Sequence, residues 1–117
     1  MITLIKKLPG KDPEVINVED NLKSYQDIVG GHLEVVIIQD LKIYKLDLFC
    51  NDNWRNLELE PNLYSNEINY DGLIGGPVFI ISHNSRGDAI RLQEYQIKAA
   101  DRWLREHAIT HLERDES

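Results

Sequence analysis

The stretch Gly75-Gly76-Pro77-Val78-Phe79-Ile80-Ile81-Ser82 decides the fold of this chain. Its apolar run follows two glycines and a proline, and it precedes the turn-forming residues His83–Asp88. A strand that is apolar at successive positions, rather than at every second one, is typical of a strand covered on both faces. The sequence therefore predicts a central β-strand at 78–82, with other elements packed on both sides of it.

The residues before this strand predict two antiparallel hairpins. Apolar and β-branched residues mark four strand segments, at 1–8, 14–19, 32–39 and 43–50. The turn-forming residues Pro9–Pro13 separate the first two segments, and Asp40-Leu41-Lys42 separates the second two. From Trp54 to Asp71 the pattern is broken by Pro61 and several polar residues, which predicts a long surface loop with at most one short strand.

Two helices complete the prediction. The first begins at Asp20 as N-cap and ends at Gly30-Gly31, which gives it about ten residues. The second lies after Leu92, and residues 111–117 are expected to fray. Its apolar stripe consists of Ile97, Ala100, Leu104 and Ala108. Trp103 and His107 flank this stripe. The predicted fold is one α+β domain over residues 1–117: a mostly antiparallel sheet with a short internal helix and a C-terminal helix.

Composition narrows the function classes. The 117 residues carry 13 Lys and Arg against 20 Asp and Glu, a formal net charge of −7, which disfavours direct nucleic-acid binding or attraction to anionic membranes. No apolar run approaches the length of a membrane span, and the first charges follow the apolar start, unlike a signal peptide. The single cysteine, Cys50, agrees with a reducing compartment. We expect a cytoplasmic protein.

Catalytic signatures are absent from the sequence. It contains no Gly-x-Gly-x-x-Gly, no phosphate-binding P-loop, no Gly-x-Ser-x-Gly and no His-Glu-x-x-His. Cys50 has no base near it in sequence and is expected in the core. His107 and His111 have the spacing of a metal pair, but no third ligand is evident, so ordinary helix histidines are the preferred interpretation. We expect neither an enzyme nor a cofactor.

One set of residues has the chemistry of a nucleotide site. Aromatic rings and guanidinium groups stack on a base, arginine binds phosphate oxygens, and asparagine hydrogen-bonds to a base or ribose. The candidate ligand-binding residues are Arg55, Phe79, Asn84, Arg86, Arg102 and Arg105. The alternative for each is ordinary: Phe79 in the core, and the arginines on solvated surfaces.

The sequence also resembles a known family. The segments Leu8–Val15, Ile28–Val36, Leu57–Asn62 and Ile74–Ile80 are similar to small domains of unknown function that are common in Firmicute phages, plasmids and related mobile elements. The resemblance covers most of the chain. Its Pro-Gly-Lys-x-Pro-Glu and Val-Gly-Gly segments mainly determine turn and cap geometry, so they imply a fold rather than a chemistry.

A second resemblance is to the phage anti-defence sponges that counter the Thoeris system. Those proteins sequester a cyclic ADP-ribose isomer made by a TIR-domain protein. The resemblance implies a homo-oligomer whose nucleotide pockets form at subunit contacts and which does not convert its ligand. Phe79, Asn84, Arg55 and Arg105 are the residues that we would assign to such a pocket.

Two functional hypotheses from different classes follow. The first is an anti-defence protein that binds and sequesters a cyclic nucleotide immune signal. The second is an acidic inhibitor that uses its net charge of −7 to bind a host defence or nucleic-acid-processing enzyme.

Overall fold

The structure, a computed structural model, describes residues 1–109 as an α+β arrangement of eight strands and three helices. The strands are β1 (Ile2–Lys7), β2 (Glu14–Val18), β3 (Leu33–Val36), β4 (Leu46–Asn51), β5 (Pro61–Tyr64), β6 (Leu73–Gly75), β7 (Val78–His83) and β8 (Ala89–Ile90). The helices are α1 (Leu22–Val29), α2 (Gln39–Lys42) and α3 (Glu94–Glu106). The predicted fold class is therefore confirmed. The predicted fraying at 111–117 lies outside the described residues.

The central position of β7 is confirmed. The main sheet has the order β2-β1-β7-β4-β3, and β8 also pairs with β7; every pairing is antiparallel. Residues 78–82 are all buried, because β7 has neighbouring strands on both edges and packed side chains on both faces. Strands β5 and β6 form a separate two-stranded sheet; β5 is the one short strand within the segment predicted as a loop, and β6 follows that segment.

The hairpin of β3 and β4 is confirmed, but its predicted ends are wrong. The chain leaves β3 after Val36 and forms the helical turn α2, so that Ile38 and Leu41 enter the core. Ile43 is 77% exposed, and Lys45 takes a φ of 60°, so residues 43–45 form a turn instead of the start of β4. The apolar residues at 37–43 satisfy a strand pattern and a helical turn equally, and core packing favours the turn.

Helix α1 begins one residue later than predicted. The N-cap is Asn21, whose side chain accepts from Ser24 N at 2.8 Å, whereas Asp20 accepts from the hydroxyl of Tyr25 at 2.6 Å. The end is as predicted. Gly30 has a φ of 79° and donates its N–H to Gln26 O at 2.8 Å, a left-handed cap that favours glycine.

The first turn of helix α3 is held in place by the side chain of Gln96. Gln96 Oε1 accepts from Gln93 N at 2.8 Å, while Gln96 Nε2 donates to Tyr44 O at 2.9 Å and to Ser82 Oγ at 3.0 Å. This buried amide joins the helix to β7. The predicted stripe holds as far as Leu104, but Ala108 follows the helix and forms a β-bridge with Leu63. Its assignment to the helix is therefore wrong.

The two faces of the main sheet are covered unequally. One face packs against α2, α3 and the β5–β6 hairpin and holds the larger cluster of buried residues. The other face is covered by α1, and the smaller cluster between them has four buried residues: Leu4, Phe79 and Ile81 from the sheet and Val29 from the helix. No helix within residues 1–109 is both long and apolar enough to cross a membrane.

Candidate functional site

The six candidate ligand-binding residues lie in three separate places. Phe79, Asn84 and Arg86 lie in or just after β7, Arg55 lies in the segment between β4 and β5, and Arg102 and Arg105 lie on α3. Each place adjoins a different cavity, and none of the three cavities described below is lined by all six residues.

At β7, the ring of Phe79 is a core group. It stacks on Tyr25 at 5.7 Å between ring centroids and on Phe49 at 5.2 Å, and the residue is 1% exposed. These three rings fill the space between α1 and the sheet. Both faces of Phe79 are covered, so its ring has no surface for stacking on a nucleotide base.

Asn84 and Arg86 belong to the turn between β7 and β8. Asn84 Oδ1 accepts from Arg86 N at 2.9 Å and from Asp88 N at 3.0 Å, which closes the turn. The Arg86 guanidinium is exposed and lies 3.7 Å from the Asp88 carboxylate. Here the asparagine shapes the backbone, and the arginine is already partly neutralised.

A histidine–aspartate pair beside this turn was missed by sequence reasoning. His83 Nδ1 lies 2.5 Å from Asp47 Oδ2, across the neighbouring strands β7 and β4. The pair adjoins a cavity of about 100 Å³ that the aromatic side chains of Tyr25 and Phe49 also line. That volume is well below the ~300 Å³ of a small ligand pocket. Only the pairing of the two strands brings these residues together, so no local motif could have revealed them.

Arg55 lies at the wall of a larger cavity of about 520 Å³. Its guanidinium lies 4.5 Å from the centre of the Trp54 ring and donates to both carboxylate oxygens of Asp71, at 3.1 and 2.6 Å. These hydrogen bonds raise the pKa of Arg55 and lower the pKa of Asp71. Its positive charge is thus largely satisfied within the protein.

We call this space the acidic cavity, because its lining includes the carboxylates of Glu34, Asp52 and Glu67. Arg55 is the cation among its described lining residues. The Trp54 ring at its wall lies directly on Gly75, where an added Cβ would come within 2.1 Å of the ring. The glycine that opens the central-strand motif therefore allows a tryptophan to approach the backbone closely.

Arg105 adjoins the third place, a cleft of about 600 Å³ between the β1–β2 loop and the end of α3. We call it the basic cleft. Its charged lining residues are the cations Lys7, Lys11 and Arg105 and the acids Asp12 and Glu60. Arg102 lies exposed on α3 and does not line this cleft in the described part of the chain.

Lys7 is the unusual residue of the basic cleft. It is 2% exposed, and its ammonium donates to two uncharged oxygens, Asn62 Oδ1 at 2.7 Å and Leu8 O at 3.3 Å. Burial lowers the pKa of Lys7, and the charge of Asp12 opposes this effect. Asn62 is fully buried and donates to Lys7 O and to Gly76 O, both at 2.9 Å. A rigid amide therefore fixes a desolvated cation at the wall of an open cleft.

Arg105 borders the same cleft from α3. Its Nε donates to both oxygens of Asp101, at 3.2 and 3.1 Å, and its Nη1 lies 3.4 Å from Asp12. Hydrogen bonding to Asp101 raises the pKa of Arg105. The guanidinium is thereby oriented beside the β1–β2 loop and retains its charge at every physiological pH.

Cys50 and His107, two residues that the sequence analysis considered for chemistry, both have protein partners or burial that explain them. Burial, with smaller contributions from Glu34 and Asp52, raises the pKa of the Cys50 thiol to about 12, so the thiol stays protonated. The His107 ring packs against the Trp103 ring at a tilt of 31°, with the ring centroids 4.4 Å apart, and His107 Nδ1 lies 3.0 Å from Tyr64 O. Its proposed partner His111 lies outside the described residues. Within residues 1–109, no three His, Cys, Asp or Glu side chains are grouped to hold a metal ion.

Comparison with known proteins gives one match. A family profile described as a domain of unknown function, DUF3846, matches residues 2–106. No curated protein and no solved structure matches the chain significantly. The profile spans all eight strands and the whole of α3, so it matches the complete fold described above.

Proposed function

The chain belongs to the DUF3846 family of domains of unknown function, and we propose that it is a binding protein that holds a phosphate-bearing small molecule in its basic cleft without converting it. The observation that carries this proposal is the buried ammonium of Lys7, which lies at the cleft wall with uncharged acceptors. A cation with a lowered pKa gains strongly from an added negative charge, because the anion offsets the cost of its desolvation.

The hydrogen-bonding capacity of Lys7 supports this assignment. An ammonium group has three N–H donors, and Asn62 Oδ1 and Leu8 O account for two of them. A phosphate oxygen at the cleft wall would accept the third. Charge-assisted bonds of this kind are roughly twice as strong as neutral ones.

The other cations of the cleft extend the same chemistry. Lys11 lies in the β1–β2 loop and Arg105 at the end of α3, so the two approach the cleft from different elements. The Arg105 guanidinium has five donors in a planar fork and keeps donors beyond those that bind Asp101. A phosphate or pyrophosphate bound between these side chains would meet cations from two directions. The volume of about 600 Å³ lies within the range of pockets that bind small molecules.

The ligand class that we propose is a cyclic nucleotide of the cyclic ADP-ribose type. The resemblance to phage anti-defence sponges supplies this class, together with a role in sequestering an immune signal in the host cytoplasm and a homo-oligomeric state. The charge of the basic cleft agrees with such a ligand, whose pyrophosphate is its most strongly recognisable group. The acidic cavity agrees less well, because its carboxylates would repel phosphate.

The proposal is tested by a thermal-shift screen followed by calorimetry. The panel consists of cyclic ADP-ribose isomers, cyclic dinucleotides and, as the phosphate-free control, adenosine. A ligand that binds the folded state must raise the Tm, so we expect a rise with a phosphorylated member of the panel and none with adenosine. Recovery of the ligand with unchanged mass would support binding without turnover.

Substitutions test whether the ligand binds in the basic cleft. Arg105→Gln should weaken the affinity at least tenfold, whereas Lys98→Gln should leave it unchanged, because Lys98 is an exposed cation of the same helix that pairs with Glu94. Lys7→Met should abolish binding. An equal loss in Arg105→Gln and Lys98→Gln, or a screen without any shift, would contradict the proposal.

A further inference from the structure

We infer that the free edge of β3 is a docking site for an extended, basic segment of a partner protein, which would add to the main sheet as a further antiparallel or parallel strand. This inference concerns a different surface from the basic cleft and does not depend on the small-molecule proposal. It rests on three observations: an open strand edge, the apolar character of that edge, and the charge of the cavity beside it.

The edge of β3 is open in the described structure. β3 is the last strand in the sheet order and pairs with β4 on one side, in the register Leu33↔Asn51 to Val36↔Leu48. The pairing continues to His32, whose carbonyl accepts from Asp52 N at 3.0 Å. Hydrogen-bonded pairs alternate along an antiparallel ladder, so the N–H and C=O groups of Leu33 and Val35 point away from β4. These groups are available to another strand.

This edge lacks the usual protection against pairing. The run Leu33-Glu34-Val35-Val36-Ile37 has high strand propensity and a single charge, and Val35 and Ile37 are 45% and 48% exposed. Edge strands that must stay single usually carry lysine, proline or a bulge. The opposite edge, β2, also has an exposed valine, Val15 at 46%, but its one charged residue, Glu14, lies 3.9 Å from Lys6 of β1. The edge at β3 differs from it by the acidic cavity that adjoins it.

The surrounding charge selects a basic partner. The acidic cavity is lined by β3 residues on one side and by the segments at 52–56 and 67–70 on the other. Its carboxylates at Glu34 and Asp52 are not balanced by Arg55, which binds both oxygens of Asp71. Side chains of an added strand alternate between the two faces of the sheet. Lysine or arginine at every second position would therefore direct its charges towards these carboxylates.

A second copy of this chain fits the edge less well. Pairing two copies through β3 would bring together two surfaces that each carry Glu34, on chains with a net charge of −7. Like charges on adjacent strands destabilise the pair. Charge complementarity thus favours a basic extended segment over self-association, and it gives the acidic-inhibitor hypothesis a specific contact surface.

The inference is tested with two labelled peptides by fluorescence anisotropy. The first alternates lysine and valine over eight residues, and the second alternates glutamate and valine. We expect the lysine peptide to bind and the glutamate peptide not to bind. Glu34→Gln should weaken binding of the lysine peptide several-fold, and raising the salt concentration should weaken it further.

The decisive variant is Val35→Pro, which removes an outward N–H without removing a hydrogen bond to β4. Edge strands tolerate proline at a position of this kind. Its matched control is Val15→Pro on β2. Thr3 O accepts from Leu92 N, so the ladder of β1 and β2 leaves the N–H of Val15 outward as well. We expect Val35→Pro to reduce affinity at least tenfold and Val15→Pro to leave it unchanged.

A measurement on the unaltered protein keeps the test independent of how the variants fold. On addition of the lysine peptide, the amide hydrogens of Leu33 and Val35 should become protected from exchange, while that of Val15 should not. Loss of binding in both proline variants, binding of both peptides alike, or no new protection at Val35 would overturn the inference. Concentration-dependent dimerisation that Val35→Pro abolishes without any peptide would overturn it in favour of a second copy.

Discussion

The basic cleft and the acidic cavity have similar volumes, about 600 and 520 Å³, but opposite electrostatics. In the basic cleft the decisive charge is a buried lysine whose acceptors are uncharged. In the acidic cavity the cation, Arg55, is exposed and bound by Asp71. The contrast shows that the net charge of −7 does not describe the local electrostatics of either cavity. What matters is whether a charged group is desolvated and whether its counter-charge is already present.

The contrast depends most on Asn62, because its side chain accepts a hydrogen bond from the Lys7 ammonium. We expect the largest loss of stability when Asn62 is replaced. Asn62→Ala removes three buried hydrogen bonds and leaves the carbonyls of Lys7 and Gly76 without this donor. We expect the free energy of unfolding to fall by about 3 kcal/mol or more, as urea denaturation would measure.

The control for this variant lies beside the acidic cavity. Asn56 donates to Asn53 Oδ1 at 2.7 Å on the exposed surface, and Asn56→Ala should change stability by no more than about 0.5 kcal/mol. Equal effects of the two variants would show that the hydrogen bonds of Asn62, including the one from Lys7, do not stabilise the fold more than an exposed amide does.

The next effect concerns the wall of the acidic cavity. Gly75→Ala places a methyl group against the Trp54 ring, and we expect a loss of about 1–3 kcal/mol from this overpacking. The same substitution in a Trp54→Ala background should cost less, because the clashing ring is gone, while the close contact of the added Cβ with Leu59 O at 2.9 Å remains. A double-mutant cycle by chemical denaturation measures this coupling. Additive losses would contradict the close contact of Gly75 and Trp54.

A smaller effect is expected on the pH dependence of stability, through the lowered pKa of Lys7. Its pKa is lowered in the folded state from the ordinary value of 10.5, so between the folded pKa and 10.5 the unfolded chain binds more protons than the folded chain. The contribution of Lys7 to stability should therefore rise with pH through this window and be lost as pH falls through the folded pKa. The difference in stability between the unaltered protein and Lys7→Met, measured from pH 8 to 11, should show this slope. The control for the loss of a positive charge is Lys98→Met, at an exposed lysine that pairs with Glu94.

The smallest effect is expected at Arg55. Its ion pair with Asp71 is solvent-exposed, with both side chains about half accessible. Exposed pairs contribute little because water and salt screen them. Arg55→Gln should therefore shift the Tm less than Asn62→Ala or Gly75→Ala does, and the shift should shrink further in high salt. A large shift would show that the guanidinium on Trp54 supports the cavity wall by packing.

Most of the fold could be predicted because its signals are local. The apolar run at 78–81 identifies a central strand, and Gly30 ends a helix through its own φ angle. Predictions failed where two local structures suit the same residues. Asp20 and Asn21 are both good N-caps, and the hydroxyl of Tyr25 decides between them by binding Asp20.

The sites were less predictable because distant residues form them. Strand alternation places Lys7 on the same buried face as Ile5, so its burial had a signal in the sequence. Its acceptor Asn62 follows 55 positions later, and no spacing rule links the two. Arg105 was identified from its residue type alone. The pair of His83 and Asp47 depends on the register of β4 and β7, which sequence reasoning did not specify.

The position of β1 has a consequence for how the chain reaches its folded state. β1 lies inside the sheet, where Ile5 pairs with Val15 on one edge and with Ile80 on the other. The hairpin of β1 and β2 closes a short loop and can form early, but its second edge stays open until β7 has been synthesised. Sheet closure is then a late, non-local step of the kind that slows folding. Until then, the open edge of β1 is a strand edge that can pair with another chain.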